Sequence, residues 1–89
     1  MRLDVFLKQS RLEPRRSVAQ RLCEGGAVKV NGMRAKSARE VREGDLLTVR
    51  LRTRICTVRV LKIPSKPPSK AEAPSLYETI TIEERSEAL

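Results

Sequence analysis

The stretch Arg15-Arg16-Ser17-Val18-Ala19-Gln20-Arg21-Leu22-Cys23-Glu24-Gly25-Gly26-Ala27-Val28-Lys29-Val30-Asn31-Gly32 decides the fold, because the apolar spacing changes period within it. Val18, Ala19, Leu22 and Cys23 recur at the three- and four-residue intervals that line one face of a helix. Gly25-Gly26 supplies a C-terminal stop, since glycine takes the left-handed conformation that closes helices. Val28 and Val30 then alternate with Ala27 and Lys29, the period of a strand. Asn31-Gly32 marks a tight turn, whose central residues need positive φ.

Upstream, Leu3, Phe6, Leu7 and Ser10 repeat at helical spacing until Glu13-Pro14 ends the pattern, so a short first helix precedes the second. Downstream, Gly44-Asp45 marks another turn. Leu47, Val49 and Leu51 then alternate with Leu46, Thr48 and Arg50, and a second alternating run passes through Cys56, Val58 and Val60. The two runs predict a hairpin with a basic tip at Arg52-Thr53-Arg54. Residues 64–75 hold four prolines and no apolar periodicity, which reads as an extended linker. Residues 76–82 are weakly apolar, and the pattern leaves open whether they dock. The expectation is an α+β fold: two short N-terminal helices packed on a small, mostly antiparallel β-sheet, with a C-terminal extension. Residues 1–63 form the domain; residues 64–89 are a Pro-rich linker and short tail.

Eighty-nine residues make one small core, and the deep enclosed pockets most enzymes use are hard to build at that size. The formal charge is +8, which favours polyanionic partners. Residues 1–63 carry 16 basic and 6 acidic side chains, and residues 64–89 carry 3 and 5, so the excess belongs to the domain. The longest apolar run, Val5-Phe6-Leu7, is too short for a membrane span or a signal peptide. A cytoplasmic monomer without membrane association is expected. With no histidine and two isolated cysteines, a zinc site or structural disulfide is not expected, and Cys23 and Cys56 read as small core residues. No cofactor and no catalytic residues are expected.

Arg15-Arg16-Ser17 opens the second helix with two cations where the helix dipole favours acids, a cost of roughly 0.3–1 kcal/mol each. A bound phosphate explains the choice: it would meet free backbone N–H groups, the Ser17 hydroxyl and both guanidinium groups. That reading is favoured over two solvated arginines. Arg2, Arg11, Gln20 and Arg21 could extend the patch, although for Arg2, Arg11 or Arg21 alone a solvated charge is an equal reading. Lys29, Arg34 and Lys36, around the Asn31-Gly32 turn, are weaker candidates. Asp4 reads as a first-turn dipole partner or an ion-pair mate for Lys8. The only aromatics are Phe6 and Tyr77, too few for base stacking, so phosphate and sugar contacts to folded RNA are favoured. Composition alone does not separate RNA from DNA.

Arg2-Leu3-Asp4 with Leu7, Arg16-Ser17 with Ala19, Gly26 followed by Val28-Lys29-Val30-Asn31-Gly32, and Gly44-Asp45 ahead of Leu47 and Val49 resemble the S-four-type RNA-binding domain. The match spans about residues 1–60 and aligns the family's helix-opening arginines with Arg2 and Arg16. Met1-Arg2-Leu3-Asp4, Ser10-Arg11-Leu12 before Arg15-Arg16, and Tyr77 ahead of Glu83-Glu84 are similar to a free-standing bacterial family of ribosome-associated quality control related to heat-shock protein fifteen. That resemblance implies binding to ribosomal RNA and peptidyl-tRNA on the obstructed large ribosomal subunit, with help to a partner protein that adds C-terminal tails to stalled chains. The alternative is a ribosome-recycling or general structured-RNA-binding protein like heat-shock protein fifteen. Val5, Met33-Arg34 and the proline content depart from the family pattern.

Overall fold

The computed structural model describes residues 1–85. Its elements, in order, are α1 (Leu3–Gln9), α2 (Arg16–Glu24), β1 (Val28–Val30), β2 (Met33–Arg34), β3 (Leu46–Arg50), β4 (Arg54–Val60), a short 3-10 helix (Ala73–Leu76) and β5 (Tyr77–Glu84). The strands form one antiparallel sheet in the order β2-β1-β3-β4-β5. The fold is therefore α+β, two helices on an antiparallel sheet.

Hydrogen bonds at the helix ends set the path of the chain. Leu3 and Asp4 at the start of α1 donate their backbone N–H groups to Arg39 O and Ser37 O, at 2.8 and 3.2 Å, so the segment after β2 satisfies donors that a helix leaves orphaned. At the end of α2, Gly26 N–H donates to Cys23 O and Ala27 N–H to Leu22 O, with Gly26 at φ +82°. This is the Schellman closure, and it turns the chain directly into β1. Asn31 and Gly32 have φ of +52° and +84° between the paired residues Val30 and Met33; a two-residue turn with both φ positive matches the twist of the strands it joins.

The core lies between the helices and the inner sheet face. Leu3, Phe6 and Leu7 of α1, with Ala19 and Cys23 of α2, cover Val28, Val30, Leu47, Val49, Val58 and Val60. Strand alternation puts Lys29, Thr48 and Arg59 on the outer face. The expected basic hairpin is β3–β4, closed at its tip by Leu51 N–H donating to Arg54 O at 2.8 Å.

The C-terminal segment is more ordered than its composition suggests. Ala73–Leu76 form a 3-10 turn that buries Ala73 and Leu76, where the proline content predicts an extended linker through residue 75. Residues 77–84 then pair along β4, from Val60 against Tyr77 to Arg54 against Glu84, with one irregularity at Thr57/Val58. Arg85 holds the hairpin tip: its N–H donates to Thr53 O and its Nη1 to Leu51 O, at 2.8 and 2.7 Å.

Candidate nucleic-acid interface

The site is organised around an acid whose sequence context suggests only a minor role. Asp4 is fully buried, and its carboxylate accepts five hydrogen bonds. Arg2 reaches it as a fork, Nε to Oδ1 at 3.0 Å and Nη2 to Oδ2 at 3.3 Å. From α2, Arg16 Nε and Gln20 Nε2 donate to Oδ2 at 3.4 and 3.1 Å. The Val5 N–H donates to Oδ1 at 2.9 Å. Asp4 lies in the first turn of α1, where a dipole partner is expected; its side-chain partners are Arg2, Arg16 and Gln20 rather than Lys8, which is solvent-exposed, so it also joins the two helices.

This geometry answers the dipole problem at α2. No acid lies in the first turn of α2, and Arg15 occupies its N-cap without a side-chain cap. The compensating negative charge comes from α1, because Arg16 and Gln20 are one turn apart on one helix face and both meet Asp4. Burial by itself would push the Asp4 carboxyl up, yet the hydrogen bonds from Arg2 and Gln20, the Arg2 charge and the Arg16 bond outweigh it and hold the group below the usual carboxylate value. The same hydrogen bond and charge raise Arg2 further above its already high value. Asp4 thus remains an anion that fixes two guanidinium groups while covering little of their outer surface: the side chains of Arg2 and Arg16 stay 46% and 49% exposed. Their remaining N–H donors are available to phosphate oxygens, which guanidinium groups match in geometry.

The other candidates are distributed around this centre. Arg15 stands beside it and is positioned by Glu13, whose Oε2 accepts the Arg15 N–H at 2.9 Å and lies 3.6 Å from Nε. Ser17 is exposed on the first turn of α2, and Arg21 is exposed about 100° round the helix from Gln20. Arg11 is exposed in the turn after α1 at φ +62°, where it lines a shallow depression with Lys8, Gln9, Pro14, Pro67 and Pro68. Lys36 pairs with Glu24 at 3.7 Å. Lys29 lies on the outer sheet face opposite Arg34. The structure therefore brings together Arg2, Arg16 and Gln20 through Asp4, and leaves Arg11, Arg21, Lys29 and Lys36 outside that cluster. Among the described residues, no group of His, Cys, Asp and Glu is arranged to hold a metal ion, and no helix is long and apolar enough to cross a membrane.

Two helices that present arginines from a shared buried carboxylate, carried on a small antiparallel sheet, define a basic-faced module. The chain belongs to the S4 domain family, whose model matches residues 1–47. The matched region contains every residue of the Asp4 cluster. Over 87 residues the chain is 45% identical to the RQC P-site tRNA stabilizing factor of Bacillus subtilis, covering 96% of both chains. Over 78 residues it is 45% identical to the protein of the same name from Halalkalibacterium halodurans, covering 88% of both. Among solved structures, the trimeric heat shock protein 15 of Vibrio cholerae superposes with a TM-score of 0.83 at 35% identity, covering 90% of this chain and 81% of that one.

Proposed function

We propose that this chain is a non-catalytic RNA-binding factor of ribosome-associated quality control in the cytoplasm. It engages peptidyl-tRNA and ribosomal RNA on the obstructed large subunit and assists a partner protein in extending the stalled nascent chain at its C-terminus. The observation that carries the proposal is the 45% identity to P-site tRNA stabilizing factors over nearly the whole of both chains. The Asp4 cluster supports it physically: Arg2 and Arg16 are held in fixed directions with exposed donors, which lowers the entropy lost when they close on phosphates. Arg15, Ser17 and Gln20 complete the contact, and Arg11, Arg21, Lys29 and Lys36 widen it. The protein acts as a monomer.

The likeness to heat shock protein 15 favours a second reading, a ribosome-recycling or general structured-RNA-binding factor. Gradient sedimentation of cell lysates separates the two. Co-migration with large subunits that carry peptidyl-tRNA, lost on joint substitution of Arg2 and Arg16 by alanine, is the outcome expected for quality control. Migration with large subunits whether or not they carry peptidyl-tRNA supports the second reading. Absence from every ribosomal fraction contradicts both.

A further inference from the structure

At the end of α2 remote from Arg16, a second depression of about 310 Å³ is lined by Gly25, Gly26, Ala27, Lys29, Arg34 and Arg50. Three of these residues are cations and none is an acid. Among the described residues, none of the three cations is ion-paired. Lys29 and Arg34 are directly opposed on β1 and β2, a placement in which like charges repel and cost stability. Arg34 then lays its guanidinium over the bare Cα of Gly26, in space that a Cβ there would occupy. Arg50 is anchored from the other side, its N–H donating to Ala27 O at 2.9 Å. Three elements thus converge cations on one concavity, against the local preference of the β1–β2 pair.

We propose that this depression is a second phosphate-binding site, taking a backbone phosphate of the same structured RNA, with Arg34 and Arg50 as fork donors and Lys29 as a point charge. The inference rests on the RNA-binding reading above. Along α2, Glu24 with its partner Lys36 stands between Gln20 and the depression, so the two sites are separate. The nine residues of α2 put them about 14 Å apart at 1.5 Å per residue. One anchored phosphate leaves the RNA free to pivot; two at this spacing fix its orientation, which is the role phosphate contacts play in registering a complex.

The test measures binding of the full chain to bulk deacylated tRNA and to purified large subunits across a salt series. Arg34→Gln with Arg50→Gln is expected to weaken binding roughly tenfold and to lower the slope of log K against log salt by about 0.7–0.9, the signature of one lost phosphate contact. The melting temperature should hold or rise, since a like-charge pair is relieved. Binding within twofold of the parent and an unchanged slope, in a preparation where Arg16→Ala does weaken binding, would overturn the second site alone. If the parent chain binds neither probe, the RNA-binding reading and the second site fall together. Should the glutamine pair melt early, Arg34→Lys with Arg50→Lys decides: recovered slope supports the site, and unrecovered slope overturns it.

Discussion

Asp4→Asn removes one negative charge and almost no volume, so it isolates what the buried carboxylate does. If the amide keeps its oxygen at the Oδ1 position, the bonds from Val5 N–H and Arg2 Nε survive, at 2.9 and 3.0 Å. The amide nitrogen then faces Arg2 Nη2, Arg16 Nε and Gln20 Nε2, three donors that it cannot accept from. A bond to a charged group contributes about 1.5–3 kcal/mol when buried. These three are long, and the arginines are half exposed and can rehydrate, so about 0.7 kcal/mol each, or roughly 2 kcal/mol in all, is the expected loss. For a domain of this size that lowers the melting temperature by about 10 °C, read by circular dichroism at neutral pH. With Arg2 and Arg16 freed to sample other rotamers, RNA affinity should fall about tenfold although no RNA-facing atom has changed. An unchanged melting temperature together with unchanged affinity would refute the view that Asp4 orients the arginines.

Arg16→Ala should weaken RNA binding about tenfold, the scale of one lost charged phosphate contact, while costing under about 1 kcal/mol of stability; urea unfolding beside a binding isotherm separates the two. Because the folded Asp4 carboxyl is held below its usual value, its contribution is fully present above about pH 4 and is lost as pH falls through the folded-state value. Acid titration of stability should therefore be flatter below about pH 4 in Asp4→Asn than in the parent, and parallel curves would contradict the assignment. Burial first, then the charges of Asp4 and Glu24, push the Cys23 thiol up to about 11. Iodoacetamide at about pH 8 should leave Cys23 unmodified in the native protein and alkylate it in urea, with mass spectrometry locating the adduct.

Local patterns made most of the fold legible. The β1–β2 turn could be read from Asn31-Gly32 because positive φ at two successive positions admits few residue pairs. The end of α2 was visible in Gly25-Gly26, because Gly26 takes the left-handed φ that closes a helix. Strand β5 was not legible, since seven of its eight residues are exposed and its order comes from pairing with β4 across residues 61–76. Nor was the depth of Asp4. Its spacing to Lys8 offered a ready surface pair, whereas its partners Arg16 and Gln20 lie on another helix. One signal did point there: α2 begins with two arginines and no acid of its own, which calls for a carboxylate from elsewhere in the fold. The resemblance to the family implies Arg2 and Arg16 as a pair without saying what holds them.

The late position of β5 in the chain gives the protein a history during its own synthesis. Until residues 77–84 have been made, β4 has a free side, and its unpaired N–H and C=O groups are a template for any extended segment nearby. Extension from the end of β4 to the end of β5 takes roughly one to five seconds at bacterial elongation rates of about 5–20 residues per second. During that interval Cys56 and Val58 lie next to an open margin. Premature termination within residues 61–76 would make the condition permanent, leaving the S4-matched residues 1–47 complete on a sheet exposed to mispairing.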